Sequence, residues 1–171
     1  ATALLGGAFF GHAEHETEDD PTAKQQAEGI ELLQLLVSHG CREAMCGLAF
    51  CNLDGPGGLP RDEHAAARLF EQAAVAGLPQ AMSELATMFY LGDGVPKDEE
   101  LSILWFRRAA EAGVPTAMYL YAECLIEQQR EAAQAYEWFA AAGRLGHRGA
   151  RSRIIEAIAS DESVGSQEKD D

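Results

Sequence analysis

Residues 81–116 read AMSELATMFYLGDGVPKDEELSILWFRRAAEAGVPT, a pair of amphipathic segments punctuated by Gly and Pro. Ala81, Leu85, Met88 and Phe89 share one face of a first helix, and Ser102, Trp105, Phe106, Ala109 and Ala110 share one face of a second. Gly92-Asp93-Gly94-Val95-Pro96 lies between them. Gly can take a positive φ where the first helix ends, and Pro96 cannot continue that helix, so the chain reverses there. Asp98 falls where an N-cap or first-turn carboxylate meets the exposed amides of the second helix. Gly113 ends that helix, and Pro115 restricts the residue before it, which enforces a second turn. Small Ala86, Ala109 and Ala110 let helices approach closely, while Trp105 and Phe106 fill the space between layers. One hairpin is too small to bury this surface alone, so copies must stack.

The stretch has neighbours built the same way. AMCGLAFCNLDGPGGLPRDEHAAARLFEQAAVAGLPQ, from Ala44, repeats it with one extra loop residue, and AMYLYAECLIEQQREAAQAYEWFAAAGRLGH, from Ala117, repeats it with a shorter loop and a Trp138-Phe139 pair. A Gly followed four residues later by Ala recurs at Gly40/Ala44, Gly77/Ala81, Gly113/Ala117 and Gly146/Ala150, with intervals of 37, 36 and 33 between the Gly residues. Setting Ala1 on Ala81 puts Leu5 on Leu85, Gly6 on Ala86 and Phe9 on Phe89. The expected architecture is an all-α, right-handed α/α superhelical solenoid with copies at 1–43, 44–80, 81–116 and 117–149. A capping helix at 150–160 and an acidic disordered tail at 161–171 follow. Ile154, Ile155 and Ile158 on one face, followed by acid, favour a cap over the start of a fifth copy.

These residues resemble the Sel-1-like repeat family, a relative of the tetratricopeptide repeats. The 81–116 copy carries that family's pattern at Ala81, Leu85, Met88, Gly92, Gly94, Val95, Asp98, Trp105, Phe106, Ala109, Ala110 and Gly113. It departs from the pattern with Ala86 for Gly, Phe89 for Tyr and Ser102 for Ala, all of similar size. The fourth copy lacks the Gly-x-Gly-Val loop, so Gln128-Gln129-Arg130 must turn more tightly. The pattern consists of packing and turn residues, so the resemblance implies a fold and says little about chemistry.

Composition excludes several classes. The 171 residues carry a net charge of -15 and no basic stripe, which argues against direct nucleic-acid binding. No run of 18 uncharged apolar residues is present, so no membrane-spanning helix is expected. The apolar ATALLGGAFFG at the front lacks a basic leader and aligns with a repeat helix; the missing initiator Met points to a processed or trimmed chain. Acid concentrates in HAEHETEDD, 12–20, and in the tail from Asp161, as solvated segments or as docking surface for a basic partner. Arg144, His147, Arg148, Arg151 and Arg153 form the one basic cluster, a solvated face or a local anion contact. Cys51 and Cys124 share the repeat position of core Met88 and read as small buried hydrophobes. Cys46 and Cys51 lie on different faces, and no copy carries the paired cysteines that stapled relatives use. A reducing compartment is therefore expected, the cytoplasm or an organelle interior, with Cys41 the accessible thiol.

Catalytic and cofactor readings find little. His12-x-x-His15-Glu16 lacks the spacing of a zinc-protease helix, and Ser166-x-x-Lys169 lies in a polar tail with nothing to form an oxyanion hole, although β-lactamase activity has been claimed for cysteine-rich relatives. His39 and His64 stand singly at helix ends, and Gly92-x-Gly94 has no phosphate-loop context. No catalytic, cofactor or metal residue is assigned. What remains is a surface. Counting from each repeat Ala, offsets 2, 3, 6 and 9 fall outside the packing pattern and give Cys46, Gly47, Phe50 and Leu53; Ser83, Glu84, Thr87 and Tyr90; Tyr119, Leu120, Glu123 and Ile126. Phe50, Glu84, Thr87, Tyr90, Tyr119 and Glu123 are the candidate partner contacts, with the three aromatics as anchors or, alternatively, as packing against the next hairpin. Their replacement by Ala is expected to weaken partner capture and leave helicity intact. The expected role is a scaffold, adaptor or peripheral subunit with a basic or apolar partner surface, or alternatively an assembly or quality-control factor holding clients transiently; the remote alternative is a hydrolase.

Overall fold

The computed structural model describes residues 21–56, 59–128 and 132–156. Among these residues the chain is helical throughout, with no strand: α1 (Pro21–Ser38), α2 (Arg42–Asp54), α3 (Glu63–Val75), α4 (Pro79–Leu91), α5 (Glu99–Glu111), α6 (Pro115–Glu127), α7 (Ala132–Arg144) and α8 (148–156). Successive helices from α1 to α7 pack in series, most extensively within the pairs α2–α3, α4–α5 and α6–α7. This is a stack of hairpins.

Turn chemistry sets the spacing. At the end of α5 the Gly113 amide donates to the Ala110 carbonyl at 3.0 Å and the Val114 amide to the Ala109 carbonyl at 3.1 Å. The same two bonds close the chain after α1, α3 and α7. Asp62 and Asp98 cap the second helices, accepting from the Ala65 amide at 2.8 Å and the Leu101 amide at 2.9 Å. Pro79 and Pro115 stand in the first turns of α4 and α6, where an amide has no intrahelical partner anyway.

The core runs along the stack. Ala49, Ala66, Phe70, Ala73, Ala81 and Leu85 pack between the second and third copies. Ala86, Phe106, Ala109, Ala117, Tyr121, Phe139, Ala142 and Ala150 continue it to α8. Trp105 touches both sets, so the expected filler between layers joins two junctions. Ser102 is fully buried, and its hydroxyl donates to the Ala86 carbonyl at 2.9 Å, which satisfies a polar atom where the repeat pattern has Ala.

The two helix layers differ in exposure. No residue of 44–53 on α2, 81–90 on α4 or 117–126 on α6 is exposed, whereas α3 and α5 each present a solvated face that includes Arg68, Glu71, Arg107 and Arg108. First helices are backed by their own second helix and flanked by neighbouring hairpins. This corrects three expectations. Cys46 and Ser83, at an offset read as free surface, are buried, because the face that a single helical wheel leaves open is covered here by the next hairpin. Cys51, read as core beside Met88, is only half-buried. Ile155, read as part of an apolar capping face, is exposed, while Ile154 packs on the core. α8 begins at 148, and the remainder of the expected cap, with Ile158 and the tail, lies outside the described residues. So does the expected first helix of the first copy; α1 leaves Leu32, Leu35 and Leu36 exposed.

Candidate partner-binding surface

α2, α4 and α6 hold the candidate contacts in register, and all six are half-buried. Phe50 sets its ring edge-on to Phe70 at 5.1 Å. Tyr119 stacks on His147 at 4.6 Å and tilts onto Phe139 at 5.5 Å. Tyr90 carries the Lys97 ammonium 5.6 Å from its ring centroid and reaches the Glu127 carboxylate at 3.5 Å. The Thr87 hydroxyl donates to the Ser83 carbonyl at 3.1 Å. Phe50 therefore braces the two helices of its own hairpin, Tyr90 and Tyr119 reach the next, and replacement of any of the three by Ala also removes packing.

The two inner-face carboxylates stand in opposite situations. Glu123 receives the Arg153 guanidinium through two bonds of 2.7 and 2.6 Å, a bidentate pair that links α6 to α8. That hydrogen bonding, reinforced by Tyr119, holds the Glu123 carboxyl below the usual range despite partial burial. The same carboxylate raises Arg153. Glu84 on α4 has no cation against it among the described residues, and burial pushes its carboxyl up. Its negative charge is felt by the buried Cys46 thiol on α2, whose pKa is raised by burial and then by Glu84.

The loop edge of the stack differs again from junction to junction. Gly92 ends α4 at a φ of 85°. Gly94, at a φ of 66°, is pressed onto the first turn of α3, where a Cβ would collide with the Glu63 carbonyl. The His64 ring donates through Nδ1 to the Gly94 carbonyl at 2.7 Å. Gly-x-Gly thus has two jobs, a helix stop and a close approach between copies. One copy later, α6 ends on Gln128 with a φ of -81°. There Tyr90, Glu99, Ile103, Cys124, Glu127 and Gln128 line a cleft of about 110 Å³.

The other sequence candidates find ordinary roles. Arg151 donates to the Gly143 carbonyl at 3.0 Å, Arg153 is held by Glu123 with Glu156 at 3.7 Å, and His147 accepts the Ala150 amide at 3.2 Å as the cap of α8. Much of the basic cluster is therefore spent inside the fold. His39 faces the Leu35 carbonyl at 2.8 Å and the neighbouring Ser38 hydroxyl at 3.3 Å, which itself donates to the Leu35 carbonyl at 2.6 Å, and His64 is bonded to the Gly94 carbonyl. Cys41 is half-buried, with its thiol 3.6 Å from Glu43. Among the described residues no group of three His, Cys, Asp or Glu could hold a metal ion, and no helix is long and apolar enough to cross a membrane. His12, His15, Ser166 and Lys169 lie outside the described residues. Sequence reading missed the Glu123–Arg153 pair and the docking of Gly94, since both join residues from different copies.

Comparison with known proteins agrees with this geometry. No curated protein matches the chain. Among solved structures, c5321, a protective antigen present in uropathogenic Escherichia coli strains and displaying an SLR fold, shares 28% identity over 73% of this chain with a TM-score of 0.71. This chain covers 27% of that antigen's length. A Sel1 repeat protein from Oxalobacter formigenes shares 32% identity over 75% of this chain and 98% of its own, with a TM-score of 0.68. Helicobacter pylori cysteine rich protein B, at 20% identity over 54% of this chain and 68% of its own, has a TM-score of 0.52 and shares the fold. The Sel1 repeat itself matches residues 42–78, 79–114 and 115–147, each frame opening two residues ahead of the Ala that marks the copy. Three consecutive matches over most of the chain, on hairpins whose turns and cores are built alike, make this protein a member of the Sel1 repeat family.

Proposed function

We propose that this chain is a non-enzymatic scaffold, an adaptor or peripheral subunit, that grips a basic segment of another protein along the face formed by α2, α4 and α6. Sel1 repeat proteins generally mediate protein–protein interaction, and the solenoid is typically a non-catalytic module. The observation that carries the finer reading is Glu84. A half-buried carboxylate with no cation against it among the described residues is costly to keep ionised, and a basic side chain from a partner would remove that cost. The Glu123–Arg153 pair supports it, since one copy along the same layer already engages a guanidinium. The net charge of -15 would steer a basic partner towards the solenoid.

Affinity capture from a native extract at moderate and high salt, with wild type and Glu84→Gln in parallel, tests the proposal. A defined set of basic proteins held by wild type and depleted on Glu84→Gln is the expected result. Persistence at high salt would favour a stable subunit, and loss at high salt a transient adaptor. Capture indifferent to Glu84→Gln overturns the role given to this face.

A further inference from the structure

We propose that the cleft between the third and fourth copies is a second docking point, which takes one lysine or arginine side chain from the protein partner. It rests on the reading of the chain as a protein-binding solenoid but uses a different surface, the loop edge of the stack.

The register shows why a site opens there. At the preceding junction the first turn of α3 is covered by the third copy's loop, with Gly94 against the Glu63 carbonyl and its own carbonyl bonded to His64. Counted from the capping Asp98 and Asp62, Glu99 on α5 corresponds to Glu63 on α3. The fourth copy has Gln128-Gln129-Arg130 in place of Gly92-Asp93-Gly94, so it has no glycine to make the same close approach. The first turn of α5 instead borders a cleft of about 110 Å³ lined by Tyr90, Ile103, Cys124 and two carboxylates, Glu99 and Glu127.

The chemistry of that lining selects the occupant. Ile103, Cys124 and the Tyr90 ring offer an apolar surface for a methylene stem, and the carboxylates offer partners for a charged head. One cation is already present. Lys97 pairs with Glu99 at 2.9 Å and stands over the Tyr90 ring at 5.6 Å, which shows that this ring and rim accept an ammonium. Among the described residues Glu127 is hydrogen-bonded to the Tyr90 hydroxyl, at 3.5 Å, and shares the Lys97 ammonium with Glu99, so there two carboxylates face one cation. The titrating groups around the cleft sense the same negative field. Tyr90 is raised chiefly by Glu127, and the Cys124 thiol is pushed up to about 11 by burial together with Glu127, Glu123 and Glu99.

The test is an NMR titration of the isotopically labelled full chain with a blocked Gly-Gly-Lys-Gly-Gly peptide and with its Nε-acetyl-lysine counterpart. Amide shifts at Tyr90, Ile103, Cys124 and Glu127 should saturate with the lysine peptide and stay flat with the acetylated one. Glu127→Gln, at an exposed position that leaves the fold intact, should weaken binding about fivefold, whereas Lys97→Ala should leave it unchanged or tighten it by freeing Glu99 and the ring. Equal responses to both peptides, or binding that survives Glu127→Gln, overturn the proposal. Shifts that map to Glu84 and Thr87 instead would sink the cleft and leave the inner-face reading standing; a cleft response alongside capture indifferent to Glu84→Gln would do the reverse.

Discussion

The junction between the second and third copies and the neighbourhood of the fourth copy share a packing scheme and differ at both surfaces. At the earlier junction the loop edge is sealed by Gly94 on α3, and the inner carboxylate, Glu84, has no cation against it among the described residues. At the fourth copy the loop edge holds a cleft, and the inner carboxylate, Glu123, is clamped by Arg153. Repetition therefore fixes how hairpins stack, and departures from repetition decide which surface remains available to another molecule. The family pattern supplies the first of these; the individual chain supplies the second.

If the packing is common to both regions, deleting equivalent core aromatics should cost about the same in each. Phe70 in the earlier junction and Phe106 in the later one are both essentially fully buried. Phe70→Ala and Phe106→Ala should each destabilise by about 3–5 kcal/mol in denaturant unfolding. A large cost at one and a small cost at the other would break the comparison at its root, because the copies would then not be equivalent units.

The loop edge should separate the two regions more sharply. Gly94→Ala places a Cβ against the Glu63 backbone and forces a left-handed φ on a residue that resists it, which should cost about 2–3 kcal/mol. Gln128→Ala at the open edge should stay within about 0.5 kcal/mol of wild type. Gly113→Ala calibrates the φ penalty alone, since nothing lies within 4 Å of its Cβ position; about 1 kcal/mol is expected. Equal effects of Gly94→Ala and Gly113→Ala would mean that the close approach to α3 has no energetic weight.

These contrasts also mark what could be read from the chain. Gly113, Asp98, Pro115 and the Trp105-Phe106 pair act through local geometry, so a single copy of the sequence discloses their roles, and the structure places each as expected. Asp62→Ala and Asp98→Ala should accordingly cost about 1 kcal/mol each, alike in both regions. Ser83 and Cys46 were misread because their burial comes from the next hairpin, which no helical wheel of one copy contains. Gly94 was legible as a turn residue and illegible as a contact with α3. Arg153 and Glu123 stand 30 residues apart on non-consecutive helices, and sequence spacing carries no signal that would join them. The partner-facing part of the molecule is thus the least legible, because it depends on relations between copies.

The smallest effects sharpen the comparison of the two carboxylates, and they differ in sign. Glu123 is lowered in the folded state from the ordinary 4.5, so its pairing with Arg153 stabilises the fold above that pH and the contribution is lost as pH falls through the lowered value. Glu123→Gln should cost about 1 kcal/mol at neutral pH, with half-exposed Arg153 keeping the figure modest, and progressively less in acid. Glu84 is raised from 4.5, so its protonated form fits the fold better. Whatever stability it lends is present below 4.5 and disappears as pH rises through the raised value. Glu84→Gln, which keeps the shape and removes the charge, should therefore stabilise the free protein at neutral pH by no more than about 0.5 kcal/mol, and the gain should vanish as acid protonates the wild type. Thermal melts of the two variants across this range would decide the matter. A destabilising Glu84→Gln at neutral pH would mean that the carboxylate already has a partner within the chain, and the inner face would lose its claim to a basic one.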